Sequence, residues 1–200
     1  MGFHEVVDEV DAACRKDQIP MLGGEKAARL VEWICEERPQ LVVEVGTAIG
    51  YSGLWIADTL RLLGQGRLVT LEPDPERAAA AKGAFERAGV DSFITQIVGD
   101  AREKIRDVQA PIDLLFLDGG FPNYYPCLMS CIGRLRDGAL LVADNAGIGP
   151  TEMADYLDFV RRHFESRTEW FETDLAWNPR DAMEISRYRA GWWSPPVAAP

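Results

Sequence analysis

The sequence is poor in histidine, cysteine and positive charge, and each shortage narrows what the protein can be. Its two histidines, His4 and His163, match no motif, which leaves them surface or core roles rather than catalysis. The four cysteines are Cys14, Cys35, Cys127 and Cys131. Cys127 and Cys131 stand four apart, a helical interval rather than the paired CxxC of a zinc site, so reduced cysteines packed as small apolar residues are expected. Lys and Arg total 21 against 32 Asp and Glu, a formal net charge of −11. So acidic a surface repels phosphate backbones, and nucleic acid is not an expected partner. The longest basic run is only Arg161-Arg162, read as a solvated helix face. No apolar run approaches the length of a membrane span. The start, MGFHEVVDEVD, is acidic and lacks the basic-then-apolar pattern of a secretory leader, which makes the cytoplasm the expected compartment.

What is present is an ordinary globular composition, 47% hydrophobic and 26% charged over 200 residues. That length suits one sizeable core. A single domain is expected over 1–192, with N-terminal helices over 1–38, a core over 39–192 and a frayed tail over 193–200. The hydrophobic period alternates between helix and strand. Residues 3–17 and 23–37 read as helices, 40–45 as a buried strand, 52–63 as a helix and 67–71 as a strand. Pro75 opens an alanine-rich helix that stops at Gly89. Strands are expected at 92–98, 112–117 and 139–142, with helices at 123–135 and, capped by Thr151, at 151–164. Two closing strands fall near 168–174 and 183–189. Repeated βα units imply a mainly parallel sheet covered on both faces, and the closing pair adds an antiparallel edge. Ligands of such sheets bind beyond the carboxyl ends of the strands.

Those ends are chemically loaded. The first carries Glu44-Val-Gly46-Thr-Ala-Ile-Gly50-Tyr51-Ser52, where glycines allow a tight turn and close approach of a ligand. It is not the G-x-G-x-x-G of a dinucleotide site, which weighs against a nicotinamide oxidoreductase. The second ends in Glu72, a carboxylate able to accept two ribose hydroxyls, 28 positions after Glu44. The third ends in Gly99-Asp100-Ala101-Arg102, a wall for an adenine. The fourth and fifth present Asp118 and the pair Asp144-Asn145. Three oxygen ligands on neighbouring strand tips suit Mg²⁺, Mn²⁺ or Ca²⁺; a helix cap at Asp118 and a turn at Asn145 is the plainer alternative. Trp170, Trp177, Trp192 and Trp193 cluster toward the end of the chain, as a pocket roof, a dimer interface or packing of the edge hairpin.

The segments EVGTAIGYS, VTLEPDPE, GDA, LFLDGGFPNYY and LLVADN, in this order and spacing, resemble the metal-dependent O-methyltransferases of the catechol and caffeoyl-CoA type. The likeness runs from residue 21 to 188 and implies a Rossmann-like class I methyltransferase fold with a seven-stranded sheet and an antiparallel last strand. It implies S-adenosylmethionine as cofactor. Glu44, Gly46, Tyr51 and Ser52 would line its methionine part, Glu72 its ribose, and Ala101 and Arg102 its adenine, with the Gly23 loop as cover. Asp118, also counted on the cofactor side, joins Asp144 and Asn145 as metal ligands, and Glu184 falls where catechol enzymes place a glutamate on a substrate hydroxyl.

One departure stands out: the family's lysine base, three residues after the first metal aspartate, is here Phe121. A metal-acidified hydroxyl, another base such as Glu184 or water, and a different substrate all remain open, as does an apolar-wall or core role for Phe121. The expected activity is O-methylation of a small phenolic or catechol-like hydroxyl assisted by a divalent metal. A non-catalytic cofactor-binding protein and a tRNA hydroxyuridine methyltransferase are the alternatives. A homodimer is the assembly that the resemblance suggests.

Overall fold

The computed structural model describes residues 2–109 and 111–191. Two helices lead, α1 (Phe3–Asp17) and α2 (Gly24–Glu37). Then come β1 (Leu41–Val45), α3 (Tyr51–Leu63), β2 (Arg67–Glu72), α4 (Pro75–Ala88), β3 (Ile94–Val98), the short α5 (Ala101–Lys104), β4 (Ile112–Leu117), α6 (Tyr124–Cys131) and β5 (Leu135–Ala143). The chain closes with α7 (Ala154–His163), β6 (Glu165–Glu172) and β7 (Arg180–Arg187). One seven-stranded sheet holds the strands in the order β3-β2-β1-β4-β5-β7-β6. Strands β1 to β5 pair in parallel, and β7 runs antiparallel between β5 and β6. This is the expected Rossmann-like sandwich.

Alternate side chains of the central strands feed two cores. Val43, Val45, Leu115 and Leu117 join the one beneath α6 and α7. Val42, Leu114 and Phe116 join the one beneath α1, α2 and α3. Strands buried on both faces read as continuous apolar runs, which is why LVVEV and IDLLFL were legible as strands. Local chemistry sets the helix ends. Asp74 caps α4 by accepting from the Glu76 and Arg77 amides at 2.8 and 3.2 Å, Pro75 follows, and Gly89 closes the helix in the left-handed region.

Several boundaries differ from expectation. The helix expected over 123–135 ends at Cys131, because a 3₁₀ turn over Ile132–Arg134 feeds directly into a longer β5. Thr151 is not a cap: α7 begins at Ala154, and no side chain caps it. The short α5 was not anticipated, and β7 starts three residues early, at Arg180. Cys14, Cys127 and Cys131 are buried and Cys35 is exposed, all as free thiols. His4 packs edge-on to Phe3, and His163 against Phe159. Among the described residues no helix is long and apolar enough to cross a membrane. Trp192, Trp193 and the 193–200 tail lie outside the described residues.

Candidate active site

Strand order reverses between β1 and β4, so the carboxyl ends of these strands border a crevice. The turn after β1 is built by close backbone packing. Gly46 has φ +100°, its amide donates to the Leu71 carbonyl at 2.9 Å, and an added Cβ would collide with the Asp118 carbonyl. The Asp118 amide in turn donates to the Val45 carbonyl at 2.8 Å. Glycine is required where φ is positive and another backbone lies this close.

Glu44 sits under this turn rather than in the crevice wall, fully buried. Ser52 donates to its Oε1 at 2.5 Å and Thr70 to its Oε2 at 2.6 Å, and the Thr70 hydroxyl also meets that of Thr47 at 2.5 Å. Burial pushes the Glu44 carboxyl up to about 7, against the opposing pull of the Ser52 and Thr70 hydrogen bonds. Its role is therefore indirect: it orients Ser52 and Thr47, which do line the crevice.

The crevice is a cavity of about 680 Å³, within the usual range for a small-molecule site. Gly46, Tyr51, Ser52, Glu72, Ala101, Arg102 and Asp118 all line it. Glu72 is held rigidly at the tip of β2. Its Oε2 accepts from the Ala48 amide at 2.8 Å and its Oε1 from the Asp74 amide at 3.1 Å, which leaves lone pairs on both oxygens. Arg102 is tied to Asp100 at 2.5 Å beside Ala101. Gly23 is the residue before α2, with φ +78°; its neighbours Met21 and Leu22 line the cavity, and it does not.

At the other end of the cavity Asp118, Asp144 and Asn145 belong to a cluster of charge whose other members, Lys26 and Asp181, the sequence did not reveal. Lys26 of α2 is 1% exposed, and its Nζ donates to Asp144 at 2.6 Å and to Asp181 at 2.7 Å. Asp181 also accepts from the Asn145 amide at 2.9 Å, from Asn178 at 3.2 Å, and from the Gly147 and Ile148 backbone amides at 3.1 Å. Asn145 adopts φ +63°, a left-handed conformation that asparagine tolerates. Burial pulls the Lys26 ammonium down, but Asp144 and then Asp181 outweigh it, so its proton is held more firmly than usual. Burial raises Asp181 too, and the Lys26 hydrogen bond reverses this to a net lowering. Asp118 is pushed well up, first by burial and then by the charge of Asp144. Its carboxylate has no hydrogen-bond partner among the described residues. Three carboxylates thus face one ammonium, and the cluster is short of positive charge. A lysine on the buried stripe of α2, in register with Leu30, Trp33 and Ile34, was the signal available in the sequence: it demands a buried counter-charge.

The donor set Asp118, Asp144 and Asn145 suits a hard divalent ion by its chemistry. Among the described residues Asp118 is unpartnered and the Asn145 amide oxygen accepts nothing, while the Asn145 nitrogen is bound to Asp181 and Asp144. Among the described residues no group of three His, Cys, Asp or Glu side chains is arranged as a metal site, and one oxygen of Asp144 is taken by Lys26.

Glu184 lies elsewhere. It is buried in β7, accepts from Arg161 at 2.8 and 2.9 Å and from Thr168 at 2.5 Å, and does not line the cavity. A substrate contact at Glu184 is therefore corrected: side chains alternate along a strand, and Glu184 falls on the face turned to α7. Phe121 does line the cavity. Its ring lies against Gly149, where a Cβ would approach within 2.5 Å, and edge-on to Tyr124. Trp177 and Ile148 stand near it, 46% and 51% exposed, while Trp170 stacks under Arg180 at 4.9 Å.

Comparison with known proteins agrees with this geometry. A methyltransferase-domain family model matches residues 43–146. Catechol O-methyltransferase B of Danio rerio is 34% identical over 191 residues, covering 90% of this chain and 70% of that protein. Catechol O-methyltransferase of Mus musculus is 30% identical over 206 residues, covering 95% and 74%. Among solved structures, the O-methyltransferase TomG from Streptomyces achromogenes, in complex with SAM, shares the fold at a TM-score of 0.82 and 21% identity, covering 92% of this chain and 90% of that one. The O-methyltransferase from Bacillus cereus in complex with SAH shares it at 0.80 and 18%, covering 92% and 91%. With a glycine turn and a ribose-ready carboxylate framing one crevice, and with these relatives, the chain belongs to the catechol type of class I S-adenosylmethionine-dependent O-methyltransferases.

Proposed function

We propose that this protein methylates a hydroxyl of a small aromatic molecule, with a divalent cation, Mg²⁺ by preference, held at Asp118, Asp144 and Asn145. The observation that carries the reading is the cavity itself. At one end Glu72 offers free lone pairs to a ribose, and at the other Asp118 presents an unpartnered carboxylate beside a cluster short of positive charge. S-adenosylmethionine would supply an electrophilic methyl group. The divalent ion would supply charge that acidifies and orients a hydroxyl oxygen.

The residues of this chain do the positioning. Glu72 would fix the ribose, and Thr47 and Ser52, set by Glu44, would shape the methionine end. The rigid backbone at Gly46 holds the Asp118 tip against the Val45 strand end. Phe121, Ile148 and Trp177 would wall an aromatic ring and exclude water. Positioning of two reactants in this way is worth roughly 7–11 kcal/mol of barrier.

The test is turnover. A panel of catechols and phenols is incubated with S-adenosylmethionine, with Mg²⁺ or with EDTA, and O-methylated product is read by mass spectrometry. Product that rises with Mg²⁺ supports the proposal. Product independent of the ion removes the metal from it. Tight S-adenosylhomocysteine binding without product on a broad panel favours a binding protein that has lost catalysis, a reading that the base-free wall at Phe121 makes specific.

A further inference from the structure

We propose that the acceptor is an acidic aromatic hydroxyl, one already ionised near neutral pH, which enters the cavity as its oxyanion. The inference rests on the O-methylation reading above and deepens it. Its ground is the absence, among the described residues, of any side chain placed to take a proton from the acceptor. No lysine and no histidine lines the cavity. Lys26 is buried behind the wall and held by two carboxylates. His4 on α1 packs on Phe3 and Trp55, and His163 lies against Phe159 at the end of α7.

The ionisable groups that do line the cavity are each committed or neutral: burial raises the Cys14 thiol to about 11 and raises the Tyr51 phenol too, so neither is ionised at neutral pH. Glu72 accepts two backbone amides at the cofactor end. Asp100 is paired to Arg102, and guanidinium groups such as Arg77 and Arg102 do not act as bases. Asp118, the one lining carboxylate with no hydrogen-bond partner among the described residues, would be committed to the cation proposed above. The remaining acceptor-end wall is apolar or amide. Phe121, Ile148 and Trp177 are apolar, and the nitrogens of Asn123 and Asn178 are spent on the Gly119 carbonyl at 2.7 Å and on Asp181 at 3.2 Å. This wall offers an aromatic ring apolar contact and no side-chain base.

The chemistry then selects the acceptor. A positioned base contributes roughly 10²–10⁴ in rate. Without one, the reactive fraction is whatever the acceptor supplies once the proposed cation has lowered its pKa, so the more acidic acceptor starts ahead. An ordinary phenol, of pKa ~10, is only about 0.1% ionised at neutral pH, whereas a ring bearing electron-withdrawing groups is substantially ionised there. In the transfer step the oxyanion's lone pair forms the new O–CH₃ bond while the methyl–sulfur bond breaks. That bond's electron pair stays on sulfur, the two opposite charges cancel, and no proton moves.

The experiment is a series of ring-substituted catechols whose first pKa runs from ~7 to ~10, spanning the phenol reference value. They are assayed at pH 7.0 with saturating S-adenosylmethionine and Mg²⁺, alongside calorimetry with S-adenosylhomocysteine. The expected result is a fall in kcat/KM of at least ~100-fold from the most to the least acidic acceptor, since the ionised fraction drops about tenfold per unit. Phe121→Lys, which places an amine at the cavity wall, is expected to flatten the series to under ~10-fold, within the worth of one base. Phe121→Leu should keep it steep. A flat series in the natural protein, with product formed throughout, overturns this proposal and leaves O-methylation standing. Binding of S-adenosylhomocysteine with no product from any acceptor overturns the O-methylation reading, and this proposal falls with it.

Discussion

Lys26→Met is the substitution whose consequence the structure defines best. Methionine matches the length of the lysine stem, so the change removes one charge and little volume. It strips the ammonium from between Asp144 and Asp181, which are 1% and 0% exposed and lie 2.6 and 2.7 Å from Nζ. Two carboxylates would then share a dry site. Removing one partner of a buried pair costs about 3–5 kcal/mol. For a chain of this size each kcal/mol moves Tm by roughly 2–4 °C, so a fall of about 6–20 °C is expected. The measurement is a thermal melt at pH 7 in EDTA. A second variant, Lys26→Met with Asp181→Asn, removes one of the stranded charges. It keeps the oxygen that accepts from the Gly147 and Ile148 amides, so part of the loss should return. Mg²⁺ or Mn²⁺ should raise the Tm of Lys26→Met more than that of the natural protein, because the added ion replaces missing charge. A Tm within about 2 °C of the natural protein, well inside the shift expected of a broken buried pair, would refute the assignment of Lys26 as the cluster's internal cation.

Three further outcomes follow from the same geometry. Glu44 has a folded pKa raised from 4.5 to about 7, so the protonated form is the one that the fold prefers. Its stabilising contribution is complete below pH 4.5 and is lost as pH rises through about 7, a difference of about 3 kcal/mol. Glu44→Gln should therefore gain stability over the natural protein as pH rises from 5 to 8, measured by urea denaturation at each pH; a gap that does not widen contradicts the burial argument. Glu72→Ala removes the acceptor proposed for the ribose, where hydrogen bonds to a charged group are worth roughly 1.5–3 kcal/mol each, so calorimetry should show S-adenosylhomocysteine affinity reduced at least tenfold. Gly46→Ala sets a methyl group against the Asp118 carbonyl at φ +100° and should lower both Tm and cofactor affinity; an unchanged melt would mean that the β1 and β4 tips are not packed as described.

The middle of the sheet was legible because its strands are buried on both faces and read as apolar runs, while its turns carry glycine or proline at the ends. The cofactor crevice was legible because Gly46, Glu72 and Asp118 each sit at the end of such a run. Of the acidic cluster, Asp118, Asp144 and Asn145 were legible at strand tips, but Lys26 and Asp181 were not. Lys26 lies 118 positions from Asp144 and 155 from Asp181, and no local pattern links them. Only the lysine's place on the apolar stripe of α2 hinted at a buried partner. Glu184 was placed in the site by the resemblance alone, which does not fix which face of β7 a side chain takes. Along this strand every second residue faces the same way, so Asp181 and Glu184, three apart, face opposite ways. Asp181 therefore reaches the site through its bonds to Lys26 and Asn145, while Glu184 turns to Arg161. The resemblance put Glu44 against the methionine part of the cofactor, yet it lies beneath the crevice wall as a buried support for Ser52 and Thr70.

The most direct measurement is a crystal structure grown with S-adenosylhomocysteine and Mg²⁺. The account predicts ribose hydroxyls on the carboxylate of Glu72, the thioether beside the Gly46 turn, and an ion touching Asp118. Nucleoside density anywhere other than between the β1 and β2 tips, or an empty crevice at saturating ligand, would contradict it.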